Sequence, residues 1–299
     1  MTDRGENTYE WVLQDVRSDG LKLQWTTPKK KGDREFVMAA VMQNGYAIRF
    51  AAPGLKADRE IVTAAVTQNG CAIKYAPELQ ADRDIVTAAV MQDGSALQWA
   101  APDLKADPDF MLSLIRKECA EPLQFVSLEF AAPKLQANRA FVLAAVEFHG
   151  FNLEYASPEL QADREIVIVA CKEYAEVLEY AAPELCADRE FIFAVTQNGV
   201  RALDFATPEL QADREFVFAA VKLDGHVLMS AAPELQADHE IVLAAVKQHW
   251  GAIQWAAPEL QADREIVLAA IEQDKAALTY IPPYLRNDSA VREIRDRTF

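Results

Sequence analysis

The chain has 299 residues, with 30 Lys and Arg against 46 Asp and Glu and a formal net charge of −16. That balance speaks against a nucleic-acid partner, because phosphate binding needs clustered cations. There is no apolar run long enough to span a bilayer and no signal-peptide core. The four cysteines form no CxxC or Cys/His cluster, which predicts free thiols in an intracellular, reducing compartment, either cytoplasm or an organelle interior.

The chain repeats itself about every 25 residues, most plainly in Gln236–Leu260, QADHEIVLAAVKQHWGAIQWAAPEL. Repeat positions are numbered 1 to 25 from Gln236. Self-similarity at this period marks a stacked array rather than separate globular domains. Position 3 is Asp33, Asp58, Asp82, Asp107, Asp163, Asp188, Asp213, Asp238 or Asp263, with Asn138 once. Both residue types cap a helix N-terminus by accepting from its free N–H groups, and Glu at position 5 suits the same end. An apolar run and then Gln, Asn or Asp, usually with Gly, predict a helix over positions 4–13 that closes on a left-handed residue. Positions 6, 7, 10 and 11 share one arc and position 8 is mostly apolar, so the helix is packed on more than one side. Positions 16–22 read as a short second helix. Its apolar side is Ala at 17, Leu or Ile at 18 and an aromatic at 20, which predicts core packing for Trp25, Phe50, Tyr75, Trp99, Tyr155, Tyr180, Phe205, Trp255 and Tyr280. Pro at 23 ends this element, and Pro-Glu-Leu reads as a tight turn.

In chain order, residues 1–30 are an N-terminal tail and a degenerate capping copy. Trp11 and Val12 stand at its apolar positions, and Gln14 and Asp15 replace the usual Ala pair. The array occupies 31–285, with copies two to four starting at Lys31, Lys56 and Gln80. The fifth copy, 105–135, is irregular: Pro108 stands at the first helical position, the Gly is lost, and six residues are gained around Arg116–Val126, predicting altered stacking or a protruding loop. Copies six to eleven start at Gln136, Gln161, Cys186, Gln211, Gln236 and Gln261. Copy eight drops a residue in its long helix and regains one after Gly199. Copy nine has Ser230 in the aromatic place, which predicts a small void. Residues 286–299 read as a C-terminal capping helix starting at Asn287 or Asp288. The expected fold is all-α, an α-solenoid of about eleven helix-turn-helix repeats with degenerate terminal caps.

The Asp-Arg pair, the apolar hexamer, Asn-Gly and the Leu/aromatic pair, nearly intact in Lys56–Leu79, resemble the repeat family catalogued as domain of unknown function 4116. The resemblance covers about residues 31–285, with a degenerate extension to residue 7. It implies an α-helical tandem array of a kind found in microalgae and some bacteria. It brings no established enzymatic activity and no catalytic residue.

The sequence has no P-loop, no GxGxxG and no HExxH. Stacking would bring His226 and His249 together, but two imidazoles alone make a poor metal site. No enzymatic activity, catalytic residue, cofactor or metal is therefore expected. Asp, Arg and Glu at positions 3, 4 and 5 predict a ladder of surface ion pairs, with Arg164, Arg189 and Arg214 facing the acids of neighbouring copies. Scaffold demands explain what recurs, so a binding face is sought where copies differ. Position 19 reads Arg49, Lys74, Gln98, Glu154, Glu179, Asp204, Met229 and Gln254, and then Thr279. This row is the candidate partner-binding surface, against free drift on a solvated face. The reading is a non-enzymatic interaction scaffold holding a protein or peptide partner along one face. The alternative is a structural subunit or rigid spacer that makes contact through its ends and the irregular fifth copy. Neither reading sets an oligomeric state.

Overall fold

A computed structural model describes residues 3–117 and 127–296; most of the insertion expected around Arg116–Val126, including Cys119 and Pro122, lies outside them. All regular structure among the described residues is helical. The chain divides into two compact units, Met1–Phe148 with Tyr155–Ser157, and His149–Glu154 with Pro158–Phe299. Each is a run of stacked copies. The first holds the long helices Asp3–Ser18, Arg34–Gln43, Arg59–Gln68, Arg83–Gln92, Pro108–Ile115 and Arg139–Phe148. The second holds Arg164–Ala170, Arg189–Gln197, Arg214–Val221, His239–Gln248, Arg264–Gln273 and the closing helix Ser289–Asp296.

A regular copy has three elements where two were expected. In copy two, the helix Arg34–Gln43 fills positions 4–13 as predicted. A six-residue 3-10 helix, Gly45–Phe50, follows, and then a single α-turn, Pro53–Lys56, where a plain turn was read. The Asp caps form as expected: Asp58 Oδ1 accepts from the N–H groups of Glu60 and Ile61 at 3.0 and 3.1 Å. The far end of the helix differs. Asn44 closes it in an extended conformation, φ −148°, and its side chain accepts from Tyr46 N–H at 3.0 Å, so it also caps the 3-10 helix.

The glycine at position 15 is therefore not a left-handed cap. Among the described residues only Gly199 has a positive φ, 81°, at the rearranged helix end of copy eight. At Gly20, Gly45, Gly70, Gly150 and Gly225 the reason for glycine is close approach, whereas Ala175, Trp250 and Lys275 stand at this position in copies seven, ten and eleven. A Cβ on Gly45 would stand 2.2 Å from the Ala65 carbonyl oxygen in the next copy, and Gly20 and Gly70 meet Ala40 and Ala89 at the same distance. The glutamine at position 13 completes this contact. Gln43 Oε1 accepts from Gly20 N–H at 2.6 Å, and Gln248 does the same for Gly225 at 2.6 Å. One backbone bond closes most copies on the opposite side, from the N–H at position 22 to the carbonyl at position 1, as in Ala52 to Lys31 and Ala257 to Gln236, both 2.8 Å; copies three and eleven place Pro77 and Pro282 there, which have no N–H to give. The core comprises positions 6, 7, 10, 11, 17, 18 and 21; Phe36, Val37, Ala40, Val41, Ala47 and Ile48 are all fully buried.

The ion-pair ladder forms as predicted. Arg34 reaches Asp58 at 3.1 Å and also pairs with Glu60; Arg214 reaches Asp238 at 2.8 Å and Glu240 at 2.7 Å. Arg164 and Arg189 meet Asp188 and Asp213 at 3.1 and 2.9 Å. The ends adapt it: Tyr9 takes the arginine's place and donates to Glu35 at 3.2 Å, while Arg264 meets Asp288, the cap of the closing helix, at 3.6 Å. Such exposed pairs contribute about 0–1 kcal/mol each.

The close approach predicts that Gly45→Ala costs about 1–3 kcal/mol in urea unfolding, because backbone must move to admit the methyl. Gly54, whose Cβ would meet nothing within 4 Å, is the control, and Gly54→Ala stays within about 0.5 kcal/mol of the parent.

The caps predict an acid response. The Arg214 hydrogen bond, and then the Ile241 N–H, hold the Asp238 carboxyl below its ordinary value; at Asp58 the Ile61 N–H leads, followed by Arg34, against the opposing effect of burial. Folded values below the unfolded value of about 3.9 add stability above that pH, and this is lost as the pH falls through the folded value. Asp238→Asn keeps a capping oxygen but not the charge. Its thermal midpoint by circular dichroism falls below the parent's at neutral pH, and the gap closes as the pH falls through the folded value of the parent carboxyl.

Candidate interaction surface

The 3-10 helices carry the variable surface. Residues three apart eclipse one another in a 3-10 helix, so positions 16 and 19 share an azimuth. The residues at 17 and 18 are buried, as Ala47 with Ile48 and Ala96 with Leu97 show, and position 19 therefore points out. Arg49, Lys74, Gln98, Glu154, Glu179, Met229 and Gln254 are all exposed; Asp204 is half-buried. Reading this element as an α-helix hid position 16, whose residues include Tyr46, Phe151, Glu176 and His226. The eclipsed spacing identifies it only once the 3-10 geometry is known.

The aromatics at position 20 are not core residues. Phe50, Tyr75, Trp99, Tyr155, Tyr180, Phe205 and Trp255 are half-buried, and Trp25 and Tyr280 are exposed. Position 20 ends the 3-10 element, so one edge of its ring stays in solvent. Other faces meet neighbours, several of them at position 16 of the copy before: Tyr46–Tyr75 at 6.4 Å, Phe151–Tyr180 at 6.2 Å and His226–Trp255 at 5.4 Å between centroids. Cations also lie on these rings. The Arg49 guanidinium is 4.4 Å from the Phe50 centroid and Lys74 Nζ is 4.7 Å from that of Trp99. Contacts of this kind are worth about 0.5–1 kcal/mol at exposed sites, and they hold the charges close to the surface.

Copies eight and nine depart together. Ser230 leaves room where an aromatic would stand, and Asp204 of the preceding copy accepts its hydroxyl proton there. Burial pushes the Asp204 carboxyl up, with nearby Glu176 adding to the shift and Arg201 opposing it.

His226 and His249 do meet, with ring centroids 4.2 Å apart, and His226 Nδ1 lies 2.8 Å from Asp224 Oδ1. Among the described residues no group of three or more His, Cys, Asp and Glu could hold a metal ion. Cys71, Cys171 and Cys186 are free thiols, and burial pushes the Cys171 thiol up to about 11. No helix among the described residues is long and apolar enough to cross a membrane. At the first copy, Trp11 and Trp25 are 68% and 81% exposed and line one groove with Asp15, Asp19, Lys22 and Lys30. Asp15 and Lys22, which replace buried alanines of the other copies, pair at 2.5 Å.

A family model described as domain of unknown function (DUF4116) matches nine stretches, the first seven overlapping: residues 12–56, 33–80, 58–105, 82–136, 107–161, 138–186, 163–211, 213–261 and 263–289. No curated protein and no solved structure matches.

Filling the Ser230 space tests its link to Asp204. Ser230→Tyr is expected to return Asp204 to solvent and to bring its titration, followed by carboxyl-detected NMR, down toward the ordinary value of about 3.9; an unmoved titration would show that Ser230 does not govern it.

Proposed function

Because the chain belongs to the DUF4116 repeat family, whose description names no activity, we propose from its surface that it is a non-enzymatic scaffold. It holds a protein or peptide partner along the 3-10 face. The observation that carries this reading is the contrast between two exposed rows. At position 4 the arginines recur and engage acids of the next copy. At position 19 the side chains change from copy to copy, and Arg49, Lys74, Glu154 and Glu179 stand exposed with no ion pair. Half-exposed aromatics beside them add apolar area, which gives such interfaces much of their strength. An array of equivalent sites suits an extended partner bound through many modest contacts. The free thiols agree with a reducing compartment.

A second reading, a structural subunit that makes contact through its end, draws on the Trp11–Trp25 groove. Aromatic residues so exposed and so close together mark contact surfaces in other proteins.

Affinity capture separates the two. A variant with Arg49, Lys74, Glu154 and Glu179 all changed to Ser is expected to keep its helicity and lose the partner held by the parent. Retention of the partner by that variant, with loss on Trp11→Gln and Trp25→Gln, would give the function to the end groove instead.

A further inference from the structure

Copy seven departs from the repeat at a point where the departure loses a hydrogen bond. Position 14 closes the long helix and caps the 3-10 helix, and Asn44, Asp93, Asp224 and Asp274 each accept there from the N–H two residues on. Copy seven places Tyr174 at this position, and its side chain makes no such bond. Its ring is 50% exposed instead. A tyrosine in a capping place gives the stack less than the residue it replaces, so the demand for it comes from elsewhere.

Other rings gather beside it. Phe151, at position 16 of copy six, lies 5.7 Å from Tyr174 and 6.2 Å from Tyr180 between centroids, and His149 is 5.5 Å from Phe151. All of them belong to the second unit. Carboxylates surround them. Glu176 and Glu179 share one azimuth of the 3-10 helix that ends in Tyr180, and Glu154 shares the azimuth of Phe151. Glu173 precedes Tyr174 and acts on His149, whose imidazole burial holds below its ordinary value while Glu173 opposes the shift. The four acids are exposed. Among the described residues none of them is in an ion pair, either with Lys172 beside them in the chain or with Arg201 in the next copy.

We propose that this patch holds an arginine side chain of a protein or peptide partner, with the guanidinium flat on the Tyr174 ring and its N–H groups donating to the carboxylates around it. This rests on the scaffold reading and names the chemistry of its partner. Arginine fits both halves of the patch at once. Its planar group stacks on an aromatic face and still presents five donors in its own plane. A lysine ammonium is a compact charge that keeps its water and does not stack. An acidic or neutral partner would cover the four carboxylates and leave their charges without a counterpart, which is costly once water is excluded. The net charge of −16 draws basic segments toward the whole chain, and the rings decide where on it they stay.

The probe is a labelled hexa-arginine peptide, titrated with the full chain by fluorescence polarisation at about 50 mM salt, where surface charge is still felt. Hexa-lysine, of equal charge, is expected to bind about threefold or more weakly. Tyr174→Asn is expected to weaken hexa-arginine binding about fivefold, the loss of one cation–π contact. The same change restores a capping residue, so the thermal midpoint is expected to stand at or above the parent's. Binding and stability then move in opposite directions, which damage to the fold does not produce. Glu173→Gln with Glu176→Gln is expected to weaken binding about tenfold or more. Glu209→Gln with Glu234→Gln removes the same charge from two exposed sites in other copies and is expected to stay within about twofold of the parent.

Equal losses in the two double variants would show attraction by net charge alone and would overturn the proposal. So would a Tyr174→Asn chain that binds hexa-arginine as the parent does, or hexa-lysine held as tightly as hexa-arginine. None of these results decides the scaffold reading, which stands or falls on the partner captured by the parent and lost by the four-serine variant.

Discussion

The contact on which the structure depends is the approach of one backbone to another between copies. The glycine at position 15 sits so near the alanine carbonyl at position 10 of the next copy that a methyl group would overlap it, as at Gly45 against Ala65. The N–H of that glycine turns to the glutamine of the next helix, as Gly20 does to Gln43. Where the three occur together, as at Gly20, Gly70 and Gly225, two small residues and one amide side chain thus set the separation of adjacent copies. The ladder adds to the same interface from its edge, while the backbone bond from position 22 to position 1 closes the copy on itself. Interior packing tolerates little change in volume, which explains why these positions recur while position 19 varies.

That separation divides each copy into residues with structural partners and residues without them. The arginines at position 4 meet acids of the next copy and leave an edge of mixed charge. Position 19 lies outside the buried contact between copies, and its contacts across copies are with the rim, as Lys74 with Trp99 and Asp204 with Ser230. A charge placed there answers to no ion pair of the ladder, so its sign can change along the array, from Arg49 and Lys74 to Glu154 and Glu179. Copies eight and nine show the limit of this independence. When Ser230 replaced the ring at position 20, Asp204 of the neighbouring copy turned inward and ceased to be part of the open surface. Variation at one row is therefore felt in the next when the ring between them is absent.

The ends follow from the same interface. The first copy replaces two alanines of the buried face with Asp15 and Lys22, and their ion pair makes that face compatible with water while Trp11 and Trp25 keep it partly apolar. At the other end, the helix Ser289–Asp296 places Asp288 where a further copy would place its capping aspartate, so the ladder continues by one step. Val291 and Ile294 are buried there.

The sequence by itself determined the long helices and their joining. Asp at position 3, the apolar arc and the closing polar residues act within one turn or one helix, and the helix over 4–13 and its caps formed where they placed it. The ladder was legible too, because a strict period puts equivalent residues of adjacent copies side by side. Only the tertiary structure decided the rest. A local reading of the glycine invoked a left-handed φ, whereas its true cause is a carbonyl in the next copy. An α-helical reading of positions 16–22 sent the aromatic at 20 into the core. The short element is in fact 3-10, which leaves that ring at the rim and joins position 16 to position 19 on one surface. Local signals are read along the chain, but an approach between backbones and the exposure of a ring depend on what the neighbouring copy places there.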